Sequence, residues 1–271
     1  MTAIETPEQA KQDRTYHEAL VDLVYQFADD DFIISFRGSE WLGLAPHIEE
    51  DVAFSSITQN TMGHAFLFYQ LLEELGEGDA NSLAHDRRPS ERKNAVYFEK
   101  KNGQGTYLEE PYYDWALTVV RQYLYETFKK VKLEAAAKSS YQPLAATAQK
   151  ILMEQTYHLA HWKMWVTQLQ HATQEAKVRI QSRVEEAWKE FGDALELGSK
   201  AIDMKKLGLL CGEDELKQKW LQEVEQHVAS VPTTPLEKCL GNGRAGEHTE
   251  DLKQAINTLS EVYQSDREAV W

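Results

Sequence analysis

Apolar residues recur at intervals of three and four along most of the chain, the spacing that gathers side chains on one face of an α-helix. Leu20, Leu23, Val24 and Phe27 open the first such stripe. Asp29, Asp30 and Asp31 interrupt it, and it resumes through Ile33, Ile34 and Phe36 to Trp41. Pro46 marks a turn, and a second helix is predicted from about His47 to Leu75, ending at Gly76. Residues 76–110 read as a long polar connection, in which Ala95 to Glu99, the Asn102-Gly103 pair and Thr106 to Leu108 predict a small hairpin. A third helix is predicted from about Tyr113 to Lys138 and a fourth from about Pro143 to Gln170, separated by a turn at Ser139 and Ser140. Further helices follow from about Thr173 to Leu195, Asp214 to Ser230 and Thr249 to Tyr263.

The fold class this predicts is all-α. A polar tail at 1–14 precedes one domain, 15–271, with a long four-helix bundle over about 16–170 and added C-terminal helices over about 173–265. The connection at 76–110 is long enough to cross the bundle, as a two-plus-two pairing of helices requires.

Composition narrows the function. The net charge is −15, which argues against broad binding to nucleic acid or anionic membrane, because phosphates attract a positive surface. The two cysteines, Cys211 and Cys239, argue against a disulfide framework and fit a reducing compartment. The polar N-terminus lacks the apolar core of a signal peptide, and no apolar run approaches the roughly 20 residues of a membrane span. A cytoplasmic location is expected.

Long bundles often hold two metal ions, using a Glu from each of two helices and Glu-x-x-His from each of the other two. Positions i and i+3 lie about 60° apart around a helix, so both side chains reach one core site. No Glu-x-x-His or Asp-x-x-His occurs in this chain. Candidate remnants are Glu40, Glu126 and Glu154, with Tyr157 where a histidine would follow Glu154; Asn60 and Gly63 stand at the matching places of helix two. A Glu154–His158 pair, with His64 facing it, is expected to sit inside or at the rim of the bundle, and a mononuclear metal site there is the sharper alternative. His161, Trp162 and Trp165, and the pair Phe66 and Tyr69, are expected to form packing or partner surfaces. There is no P-loop, no dinucleotide fingerprint, no G-x-S-x-G elbow and no CxxC. Arg87, Arg88, Arg92, Lys93, Lys100 and Lys101 cluster in the 76–110 connection. They read as a solvated loop or as a docking point for phosphates or an acidic partner.

The run GSEWLGLAPHIEEDVAFSSITQNTMGHA resembles the C-type subunit of the multicomponent phenylacetyl-CoA 1,2-epoxidase, as do AHDRRPSERKN, VVRQYLYETF, the segment around KILMEQTYHLAHW, and GEHTEDL with a terminal Trp. The resemblance implies a ferritin-like fold and a place in phenylacetate catabolism. It implies a di-iron catalytic subunit as partner, in a heterodimer within a larger assembly, with no cofactor, no metal and no catalytic residue in this chain. On that reading the chain is not an enzyme by itself. The same resemblance implies that Glu91, Arg92, Lys93 and Asn94 contact the CoA moiety of a shared phenylacetyl-CoA substrate, with Lys200 to Lys206 as a second candidate. Two rival readings stand beside it: a metal-binding oxygenase subunit with a reduced site, and a free-standing helical acyl-CoA-binding protein.

Overall fold

The structure, a computed structural model, describes residues 3–106, 108–110, 112–267 and 269. Its helices in chain order are α1 (Pro7–Lys11), α2 (Arg14–Ser39), α3 (Ile48–Glu74), α4 (Ala80–His85), α5 (Val96–Glu99), α6 (Trp115–Ala136), α7 (Gln142–His171), α8 (Gln174–Glu190), α9 (Ala201–Lys206), α10 (Glu213–Glu225) and α11 (Glu250–Ser265). The fold is an all-α, ferritin-like long four-helix bundle with additional C-terminal helices. Helix α2 packs along α3, α6 packs along α7, and α3 meets α7 across the middle. Helices α8 and α10 cover α6, so α6 is the central helix, buried on nearly all sides. Among the described residues no helix is long and apolar enough to cross a membrane.

Side-chain caps fix the helix starts. Asp13, His47, Asp79, Asp114 and Thr173 each accept a hydrogen bond from a backbone N–H of the first turn of α2, α3, α4, α6 and α8, satisfying donors that the helix itself leaves unpaired. The N-terminal stretch is tied down: Ile4 N–H donates to Ser140 O at 2.8 Å, Gln142 N–H returns to Ile4 O at 2.8 Å, and Thr6 caps α1 with a reciprocal bond from Gln9.

Two expectations need correction. The aspartate triplet does not interrupt the first helix; α2 runs through it without a break and ends at Ser39. Three carboxylates are tolerated there because each finds a partner from a different element. The predicted hairpin is absent among the described residues. Its first arm is the short helix α5, and Tyr107 of the second lies outside the described residues, as does the terminal Trp271. The connection is no solvated loop either. Its stretch from Ala95 to Glu99 is buried, with Asn102, and Ala95 N–H and Val96 N–H donate to Asp30 and Asp193 at 2.9 Å each. Burying carboxylates that receive backbone donors satisfies both sides of the bond, which an exposed hairpin would not do.

Candidate functional site

Consecutive residues of a helix point about 100° apart, so Asp29, Asp30 and Asp31 reach three different neighbours. Asp29 accepts from the Tyr69 hydroxyl at 2.6 Å, the Lys93 backbone N–H at 2.8 Å and the Arg87 guanidinium, with Arg92 at 3.8 Å. Burial pushes its pKa up, but the charges of Arg87 and Arg92 win and hold it below the ordinary value. Asp30 is held by both terminal nitrogens of Arg244, each at 2.8 Å. Asp31 faces the bundle centre, where it accepts from Lys129 Nζ at 2.9 Å and from the Tyr125 hydroxyl. Burial pushes the Asp31 carboxyl up to about 6 against the pull of Lys129.

From Asp31 the polar chain continues across the bundle. Lys129 Nζ, on α6, also lies 2.9 Å from His64 Nδ1 on α3, and His64 Nε2 lies 2.9 Å from Glu154 Oε2 on α7. An ammonium only donates, so His64 Nδ1 accepts and its proton sits on Nε2, aimed at the Glu154 carboxylate. Burial and the neighbouring Lys129 hold the His64 pKa far below its ordinary value, so the ring is neutral. On the other side of the centre, His158 Nδ1 stands 3.6 Å from Glu126 Oε1, too far for a hydrogen bond. Gln155 donates to the second Glu126 oxygen. Burial raises the Glu126 pKa, and His158 with Lys129 brings it net below the usual value.

This centre differs from the expected one in pairing and in register. Glu154 pairs with His64, and His158 faces Glu126, so the expected Glu154–His158 pair does not form. On α3 the inward positions are Thr61 and His64; Asn60 is half-buried and Gly63 exposed. The signal is present in the sequence. Phe54, Thr61 and Phe68 are spaced by seven, as are Ile57, His64 and Leu71, and all six are buried. Asn60 still touches the rim, with its Nδ2 3.4 Å from His158 Nε2. Glu40 lies away from the centre, bonded to Arg37 at 3.0 Å and Asn102 at 2.8 Å. The residue of α2 that reaches the centre is Asp31.

The inward groups of the four long helices are therefore Asp31, Thr61 with His64, Glu126, and Gln155 with His158. This is the two-metal pattern in position but not in chemistry. Neutral Thr61 and Gln155 stand where carboxylates would neutralise metal charge, and an ammonium already bridges Asp31 and His64. The residues present do not fit two metal ions, and among the described residues no cluster of three or more His, Cys, Asp or Glu is placed to hold a metal.

Other expected residues resolve differently. Trp162 and Trp165 are buried, as is Tyr69, so they are core rather than partner surface. Their neighbours explain this: Trp162 packs edge-on to Phe54, and the Trp165 indole N–H donates to buried Glu50 at 2.6 Å. His161 Nε2 reaches the same Glu50 at 3.0 Å. In the 91–94 segment, Arg92 and Asn94 are fully buried; Arg92 donates to Ala84 O at 2.6 Å and Asn94 to Glu99 at 2.9 Å. Glu91 and Lys93 reach a surface groove of about 640 Å³ that Lys200 also lines. There Lys93 faces Asp22 at 3.4 Å and Lys200 bonds Glu18 at 2.6 Å.

Lys132, one turn below Lys129 and equally buried, lies 3.3 Å from Gln26 Oε1 and 4.4 Å from the centre of the Phe27 ring. Burial, then the charge of Arg244, pushes its pKa down to about 7 from an ordinary 10.5. Between those pH values the unfolded chain binds a proton that the folded chain does not, so this group's contribution rises with pH through that window and is lost as pH falls toward 7. Lys132→Met is expected to stabilise the chain by about 1–4 kcal/mol below pH 7, with the gain shrinking as pH approaches 10.5. Urea titrations at two pH values would show it; a gain independent of pH would mean that Lys132 keeps its proton throughout.

A ferritin-like bundle with metal-type positions on four helices defines the class. The chain belongs to the phenylacetic acid catabolic protein family, whose model matches residues 1–271. It is 26% identical over 230 residues to the C-type subunit of 1,2-phenylacetyl-CoA epoxidase from Escherichia coli (strain K12), covering 84% of this chain and 89% of that protein. This corrects the expectation that the chain takes no catalytic part. Its family is one of catabolic proteins and its relative is a subunit of an epoxidase, so the chain is not set outside catalysis. A role in phenylacetic acid catabolism follows from the family.

Proposed function

We propose that the chain is the C-type subunit of a phenylacetyl-CoA ring epoxidase, and that it holds an iron-carrying subunit through the joint face of α3 and α7. The observation that carries this is an exposed apolar stripe. Met153, Tyr157, Ala160 and Met164 follow at intervals of four, three and four on α7 and are all exposed, Tyr157 by 77%. Val52 and Phe66 on the neighbouring helix α3 are also exposed, with Ile48 at the start of that helix. Apolar surface gathered in this way is a partner site more often than free surface. Glu154 lies on the same face with its side chain 49% exposed, so the polar chain from Asp31 and Lys129 reaches the proposed interface.

In this reading the two irons belong to the partner, and the CoA phosphates meet Lys93 and Lys200 at the groove, taking them over from Asp22 and Glu18. Tyr157→Asp combined with Met153→Asp is expected to weaken binding to the iron-carrying subunit by about 100-fold or more, with the melting temperature unchanged because both side chains already face water. An unchanged Kd in calorimetry would remove α3 and α7 as the interface.

A further inference from the structure

Helix α3 has no Asp, Glu, Lys or Arg from Val52 to Leu72, in a chain where 27% of the residues are charged. Its outward positions there are Val52, Ser56, Gln59, Gly63, Phe66 and Gln70, all exposed and spaced alternately by four and three. A helix face that stays in water carries charge; an uncharged seam of this spacing is one that a second helix follows. Gly63 stands in the middle of the seam. A glycine inside a helix costs stability relative to alanine, and nothing in this chain lies within 4 Å of where a Cβ on Gly63 would sit. The packing of the chain itself gives no reason for the missing side chain. The next residue, His64, is bonded through Nε2–H to Glu154 Oε2 at 2.9 Å, so Gly63 and Glu154 lie at one level of α3 and α7. Glu154 is the carboxylate of the exposed α7 stripe, between Met153 and Tyr157. The His64 ring is neutral. Among the described residues no lysine or arginine pairs with Glu154, although Lys150 stands one turn earlier on α7.

We infer that the iron-carrying partner lays one of its helices along this seam of α3, with its backbone closest at Gly63, and sets a lysine or arginine on Glu154. The inference rests on the α3 and α7 face of the proposed function and adds the kind of partner surface that fits it. Charge selects the occupant. A carboxylate carried into an apolar interface needs a cation from the other side, and a second copy of a chain with net charge −15 repels rather than attracts. The bare Cα of Gly63 lets a partner backbone come nearer than any side chain would allow.

Gly63→Ala and Glu154→Gln test this, each melted alone and titrated by calorimetry with the purified iron-carrying subunit at low and high salt. Gly63→Ala is expected to melt roughly 2–4 °C higher than wild type, as a helix gains from alanine, and yet to bind roughly 5–100-fold more weakly, the scale of one methyl group forced into a packed contact. Glu154→Gln keeps an oxygen acceptor for His64 and removes only the charge. It is expected to bind roughly 30-fold or more weakly and to lose the salt dependence that wild type shows. Either variant binding as tightly as wild type overturns the inference. If the double change of Tyr157 and Met153 to aspartate still prevents binding in that case, the α3 and α7 face stands without it; if the double change also binds normally, the face is lost as well. A fall in the melting temperature of Gly63→Ala would show that the chain's own packing needs the glycine, and it too overturns the inference. So does self-association of the chain alone that Gly63→Ala abolishes, which would give the seam to a second copy.

Discussion

Arg244→Ala is expected to cost about 3–5 kcal/mol of stability, the range for removing one partner of a buried ion pair. The guanidinium is fully buried, grips Asp30 through two parallel bonds of 2.8 Å, and also donates to Lys93 O, Ala194 O at 3.2 Å and Glu196 O at 3.3 Å. Without it, Asp30 keeps the Ala95 N–H donor at 2.9 Å, and its charge stays inside the protein. Replacing both, as Asp30→Ala/Arg244→Ala, should cost less than the sum of the two single changes, since no lone charge remains buried. Denaturant unfolding of the four chains measures this. A loss below about 1 kcal/mol for Arg244→Ala would show that water reaches Asp30 when the arginine is gone.

Trp162→Ala is expected to cost a similar amount, about 3–5 kcal/mol, through the cavity it leaves. The side chain is fully buried on α7, 4.9 Å from the Phe54 ring and 6.1 Å from Trp115 between centroids. Its indole N–H has no hydrogen-bond partner among the described residues, so Trp162→Phe loses volume but no bond and should cost clearly less. If Trp162→Ala were thermally neutral and instead weakened partner binding, the residue would be a surface group after all.

The all-α class and the long helices are legible in the sequence because period and caps agree: α3, expected from about His47 to Leu75, spans Ile48–Glu74, and α7, expected from about Pro143 to Gln170, spans Gln142–His171. The missing Glu-x-x-His is legible as well. What escapes is which face of each helix turns inward. Counting spacings of seven from Phe54 and Ile57 places Thr61 and His64 at the centre. For Lys129, no local pattern helps. A lysine on a central helix reads as a surface residue until Asp31, 98 positions earlier, is known to face it. The aspartate triplet misleads for the same reason. Local propensity sees three polar residues breaking an apolar stripe, while their arginine, tyrosine and lysine partners lie on other elements. Trp162 and Trp165 mislead in the opposite direction, because large aromatic groups suit both a core and an interface.

The same triplet sets a timetable for the newly made chain. Arg87 follows Asp29 by 58 residues, Lys129 follows Asp31 by 98, and Arg244 follows Asp30 by 214. At about 5–20 residues per second, the ribosome delivers Arg244 on the order of ten seconds or more after Asp30 has left the exit tunnel. Until then Asp30 has the Ala95 N–H donor but not its bidentate arginine partner. Of the three aspartates, Asp30 is therefore the one whose cationic side-chain partner is made last, and a chain ending before Arg244 is expected to be cut faster by added protease than the full one.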